Sequence, residues 1–160
     1  MPSTIYLINM PYSSITRPSL ALGLIERYIN NYGHQVETIY GNVEFSTKIG
    51  LELYNKIDTS FYEHLIGEWT FSRSAFPDKP LDDEGFFALF IDLSETLKQQ
   101  LLSTRDEAEI YLQQLASQVL EQSPKIVACT STFQQNCASL ALLRIIKENN
   151  NNPYSANSIN

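Results

Sequence analysis

Two short polar stretches carry side chains suited to holding a ligand. One is Asn9-Met10-Pro11-Tyr12-Ser13-Ser14-Ile15-Thr16-Arg17, the other Thr130-Ser131-Thr132-Phe133-Gln134-Gln135. Both are rich in hydroxyls and amides, which donate and accept hydrogen bonds without carrying charge. Each follows an apolar run and leads into a helix start, whose free N–H groups suit phosphates or amide side chains. The same residue types also cap helices, and on the plainer reading Ser19 and Ser131 or Thr132 do only that. The fingerprints GxGxxG and GxxxxGK[ST] are absent, which removes the best support for a nicotinamide or ATP site. His34 follows Gly33 and His64 lies in a helical stretch, neither in a metal-type spacing with cysteines or carboxylates. Both read as structural or solvent-facing. Asp82-Asp83-Glu84 precedes a helix, where its charges complement the helix dipole. Glu63 and Glu68 flank His64-Leu65-Ile66-Gly67 without a nucleophile, and Trp69 with the phenylalanines reads as core. No residue is assigned to acid, base or radical chemistry.

The elements that must position the two loops follow from periodicity. Ile5-Tyr6-Leu7-Ile8 is an apolar, β-favouring run that stops at Asn9-Met10-Pro11, as a strand buried on both faces would. After Pro18-Ser19, Leu20, Leu24 and Tyr28 recur every four residues beside Ala21, Ile25 and Ile29, and Gly33 ends the helix. Gln35 to Tyr40 alternates polar and apolar as a second strand. Strand, helix and strand in so short a span make a βαβ unit with parallel strands.

The stretch at about 43–122 changes character. Phe45, Ile49, Leu53 and Ile57 repeat every four residues, and Phe61, Leu65 and Trp69 continue the pattern before Pro77-Asp78-Lys79-Pro80 breaks the chain. Phe86, Phe90, Leu93, Leu97 and Leu101 give another stripe, and a further helix is expected from Asp106, with Ala108, Tyr111, Leu112, Leu115 and Val119 on one face. Pro124 bounds this helical insertion. Lys125-Ile126-Val127-Ala128-Cys129-Thr130 is a third strand, and Ala138, Ala141, Leu142 and Ile145 mark a last helix. Residues 149–160, with four consecutive asparagines, read as a disordered tail.

Composition bounds the function classes. The 160 residues suffice for one domain with a real core. A net charge of −7 argues against a sequence-independent nucleic-acid binder, which needs a basic footprint. No apolar run is long enough for a membrane span, and the start lacks the pattern of a signal peptide. Cys129 and Cys137 lie in apolar segments and read as reduced thiols of a cytoplasmic protein. The expected fold is therefore α/β: an incomplete Rossmann-like parallel sheet of three strands in flavodoxin-like order, with a helical insertion between strands 2 and 3. Its ligand would sit beyond the carboxyl ends of the strands, where the strand order reverses. A three-stranded parallel sheet leaves an apolar edge, so a truncated chain, a partner or self-association is expected, truncation being favoured.

Several blocks, in order and spacing, match a known pattern. They are Asn9-Met10-Pro11-Tyr12-Ser13-Ser14 with Arg17 to Leu24, Glu44-Phe45 with Ile49 to Tyr54, and His64 to Trp69 with Phe71. The fourth is Thr130 to Asn136 with Ala138-Ser139-Leu140-Ala141. Over about residues 4–148 the chain resembles the amino-terminal region of cobalamin-dependent radical S-adenosylmethionine proteins that mature ribosomally made peptides. The resemblance implies a cobalamin-binding domain over residues 1–148, belonging to an enzyme that methylates unactivated carbon. By position, Asn9, Met10, Pro11, Ser13 and Ser14 and Thr130, Ser131, Thr132, Phe133 and Gln134 become the candidates for corrin contact. The chain departs from the family in having no CxxxCxxC triplet, so no iron–sulfur cluster is expected in it. The DxHxxG signature that gives cobalt a histidine is also absent.

Three functions stay open at this point. The first is a cobalamin-binding portion of a peptide-modifying C-methyltransferase, inactive alone because the radical domain is absent. The second is a stand-alone interaction module for a precursor peptide or partner enzyme. The third is a flavodoxin-like binder of a flavin or a phosphorylated ligand. None involves nucleic acid or membrane, and self-association through the open edge is compatible with each.

Overall fold

Ile5, Tyr6, Leu7 and Ile8 are all buried, because both faces of the strand they form are covered. The structure, a computed structural model, describes residues 4–151. Strand β1 (Thr4–Ile8) is central, and β2 (Gln35–Ile39) and β3 (Ile126–Cys129) pair with it in parallel, giving the order β2-β1-β3. Ile5 stands opposite Val36 and Ile126, and Ile8 opposite Ile39 and Cys129. The protein is thus an α/β fold with an open parallel sheet of Rossmann-like order.

Strand alternation splits the core in two. Ile5 and Leu7 face α1 (Leu20–Asn31), where they meet Leu22, Ile29 and Val36. Tyr6 and Ile8 face the other way, into a larger core built from the insertion and the last helix. Five helices lie between β2 and β3: α2 (Gly41–Ile49), α3 (Leu51–Asn55), α4 (Ile66–Ala75), α5 (Asp83–Phe87) and α6 (Glu95–Glu121). After β3 comes α7 (Asn136–Asn150), packed on α4 and α6. Gly50, at φ +88°, separates α2 from α3, and a π-helical turn, Lys56–Ser60, follows α3. No helix among the described residues is long and apolar enough to cross a membrane.

Several expectations are corrected. The four-residue stripe Leu20, Leu24, Tyr28 of α1 does not face the sheet; these residues are 60–77% exposed. The buried side is Leu22 with Ile29, and Glu26 accepts a hydrogen bond from Thr38 Oγ1 on β2 at 2.6 Å. A second apolar stripe therefore decorates the helix, and it is the one periodicity detects. The helices expected around Leu97 and from Asp106 are one continuous helix of 27 residues, α6. Thr104 and Arg105 are buried along it, so polar residues interrupt the apolar pattern without interrupting the helix. Phe86 and Phe90 belong to a separate short segment, because Ser94 Oγ caps α6 by accepting the Leu97 N–H at 3.2 Å. The tail expected from residue 149 falls largely at 152–160, outside the described residues, but Asn149 and Asn150 complete α7.

Candidate functional site

The chain leaves β1 toward α1 on one face of the sheet and leaves β3 toward α7 on the other. Adjacent parallel strands whose helices diverge in this way create a crevice at their carboxyl ends. The loop after β1 and the loop after β3 meet there. Thr130 N–H donates to Ile8 O at 2.9 Å, and Met10 N–H donates to Thr130 Oγ1 at 2.9 Å. Gln135 Nε2 donates to Met10 O. The two candidate loops are therefore one hydrogen-bonded unit.

Within that unit the ten candidate residues divide sharply. Asn9, Met10, Pro11 and Gln134 are buried. Asn9 Oδ1 accepts from the hydroxyls of Ser13 and Thr130, each at 3.3 Å, and its backbone bridges to Ile39 O and to the Asn42 N–H. Gln134 holds a left-handed backbone, φ +65°, while its Oε1 accepts the Gly67 N–H at 2.9 Å. These four build the loops rather than present them. Ser13 is half-buried, its N–H donating to Tyr54 Oη and its carbonyl accepting from the same hydroxyl, both at 2.9 Å. The Tyr54 hydroxyl is itself buried, which pushes its pKa up and keeps it protonated as donor to Ser13. Thr130 is half-buried and committed to Met10 and Asn9.

What faces outward is smaller: Ser14 in part, and the exposed Ser131, Thr132 and Phe133. Ser131 Oγ donates to Asn136 Oδ1 at 2.6 Å and Thr132 Oγ1 to Gln135 Oε1 at 2.6 Å. Each hydroxyl spends its proton on the protein, and its oxygen lone pairs stay available to accept. Such a surface suits a ligand that brings N–H donors and an apolar face.

The helix starts beside the loops are less free than the sequence implies. Ser19 Oγ accepts the Leu22 N–H at 3.3 Å and caps α1. The start of α7 is taken by Glu68 of α4, whose Oε1 accepts from Asn136 N–H at 3.2 Å and whose Oε2 accepts from Cys137 N–H at 2.7 Å. Nothing in the sequence pattern signals this cap, because donor and acceptor are far apart in the chain.

A second polar cluster also went unread. Arg105, buried in α6, lies on the ring of Trp69 at 3.5 Å from its centroid and donates to both oxygens of Asp83, at 2.7 and 2.9 Å. Trp69 Nε1 donates to the same carboxylate at 3.1 Å, and Phe86 stacks on Trp69 at 5.1 Å. Burial pulls the arginine pKa down and Asp83 opposes that shift. Beside this cluster opens a cavity of about 400 Å³ lined by Leu65, Trp69, Phe76, Leu81, Phe86 and Cys137 among others. His64 stacks on Phe90 at 4.4 Å, and His34 is exposed. Among the described residues, no group of three or more His, Cys, Asp or Glu is placed to hold a metal ion. Comparison with protein-family models, with curated proteins and with solved structures returns no match to this chain.

Proposed function

We propose that this chain is a cobalamin-binding-type unit of a peptide-modifying enzyme of the radical S-adenosylmethionine class, with the corrin resting on the joined loops after β1 and β3. The observation that carries the reading is the junction of the loops after β1 and β3, locked to each other by hydrogen bonds and presenting uncharged acceptors. Ser131 and Thr132 would accept from the amide N–H groups at the corrin periphery, Ser14 would do so from the opposite loop, and Phe133 would offer apolar contact. Asn9, Met10, Pro11, Ser13, Thr130 and Gln134 would hold the backbone of the shelf in place. When bound, cobalamin would supply a carrier for a methyl group. Neither loop contains a histidine to approach cobalt.

The cap on α7 argues for this ligand over a flavin phosphate. A phosphate would meet Glu68 already seated on the N–H groups it needs, and like charges repel.

Hydroxocobalamin titrated into the full chain tests the proposal, read by visible spectra after desalting. Retention of one equivalent is expected, with at least a tenfold weaker affinity, about 1.4 kcal/mol, after Ser131→Leu with Thr132→Leu. No retained colour, or equal retention by the double variant, overturns it.

A further inference from the structure

Among the described residues the outer edge of β3 is unpaired, and it lies beside a groove of about 430 Å³ between that strand and α7. Leu120, Val127, Leu143 and Ile146 supply its apolar lining, and Lys125 and Lys147 its charge. No carboxylate lines the groove, and among the described residues neither lysine enters an ion pair. This is a local cationic site on a chain of net charge −7. Thr130 N–H donates inward to Ile8 O at 2.9 Å, and with Ile8 opposite Cys129 this register turns Ile126 and Ala128 toward β1, so Val127 and Cys129 present their N–H and C=O to the open edge. On the opposite face of the sheet the strand is equally bare, Ile126 being 53% exposed.

From these features together we infer that the β3 edge and its groove dock an extended acidic–apolar segment of another polypeptide. The segment adds as a fourth strand, places apolar side chains against Val127, Leu143 and Ile146, and sets a carboxylate by Lys125 and Lys147. Main-chain pairing gives such a site its affinity, and alternate side chains entering the groove give its selectivity. Charge complementarity selects the acidic partner, because a cationic segment would meet two uncompensated lysines. The inference is independent of any cofactor at the carboxyl end of the sheet.

The test uses the full chain and a fluorescein-labelled, end-blocked peptide of alternating glutamate and valine, followed by fluorescence anisotropy. Saturable binding is expected, with amide NMR shifts at Val127 and Cys129. Lys125→Glu with Lys147→Glu should weaken it at least about tenfold, as should backbone N-methylation of the peptide. Leu143→Glu, at a half-exposed position, should weaken it as well and provides a second variant should the charge reversal fail to fold. Equal binding of a lysine–valine peptide, indifference to these changes, or no binding overturns the inference. A dimeric mass that excess peptide leaves intact would assign the edge to a second copy and overturn it too.

Discussion

Glu68 caps a helix to which it does not belong: from α4 it accepts the Cys137 N–H of α7 at 2.7 Å through Oε2. The same carboxylate accepts from Asn136 through Oε1, twice. A charged acceptor at a helix start is favoured by both the free N–H groups and the dipole. Here it also pins α4 to the loop that follows β3. Glu68→Ala should therefore cost about 1–2 kcal/mol, read as a lower urea midpoint with an unchanged slope.

The Arg105–Asp83 pair should be more costly to break from the arginine side. Arg105→Ala removes a buried, stacked guanidinium and leaves a hole against Trp69. A loss of about 3–5 kcal/mol is expected, against about 1.5–3 for Asp83→Ala, whose carboxylate is partly solvated. Urea unfolding of both single variants and the double variant should give a coupling of at least about 0.5 kcal/mol.

Gly67 sits where α4 passes the Gln134 turn. A Cβ there would lie 2.8 Å from Gln134 Cβ and 2.8 Å from Tyr12 Cδ2, closer than packed carbons tolerate. Gly67→Ala should destabilise by about 1–3 kcal/mol despite the better helix propensity of alanine. Thermal unfolding would show a lowered Tm.

Gln134 and Thr132 should separate structure from ligand contact. Gln134→Ala strips the Gly67 N–H of its buried acceptor and should lose about 1–3 kcal/mol of stability. Thr132→Ala, on the exposed side of the same loop, should leave the urea midpoint within about 0.5 kcal/mol and affect only cobalamin retention.

Burial pushes the thiols of Cys129 and Cys137 from 9.0 up to about 12, with the Glu68 carboxylate adding to the shift at Cys137. Burial and the hydrogen bond to Glu37 raise Tyr6 from 10.0 to about 12. The folded chain thus keeps protons that the unfolded chain releases. Stability is full below the unfolded values, begins to fall near pH 9 and keeps falling toward pH 12. Urea midpoints measured at pH 7 and pH 10 should show the loss. Both thiols should also react slowly with a disulfide reagent at pH 8 until urea is added.

Much of this fold is legible because the sheet obeys simple rules. The run Ile5–Ile8, the alternation at Gln35–Ile39 and the third strand after Pro124 give the order β2-β1-β3 once crossovers are right-handed. The helices resist reading where polar residues are buried. Arg105 breaks the stripe of α6 because its charge is met by Asp83 and Trp69, partners no local pattern reveals. On α1 the error has the opposite cause: Leu24 and Tyr28 form a regular stripe that stays largely exposed. At the candidate site the loops are legible by composition and position. The split between buried Asn9 and Gln134 and exposed Ser131 and Thr132 is not, since it depends on contacts with α4 and β2.

The pairing of Ile8 with Cys129 has a consequence for biosynthesis. The centre of the sheet is synthesised before the insertion, and its second neighbour only after the whole insertion has been added. At the usual elongation rates of about 5–20 residues per second, β1 waits roughly 6–24 s with one edge unpaired. During that interval the apolar run Ile5–Ile8 of β1 has one edge within reach of any other nascent chain, and among the described residues β2 covers the other. Synonymous changes that slow the ribosome within the insertion would lengthen the exposure and lower the soluble yield, without altering a single contact of the finished protein.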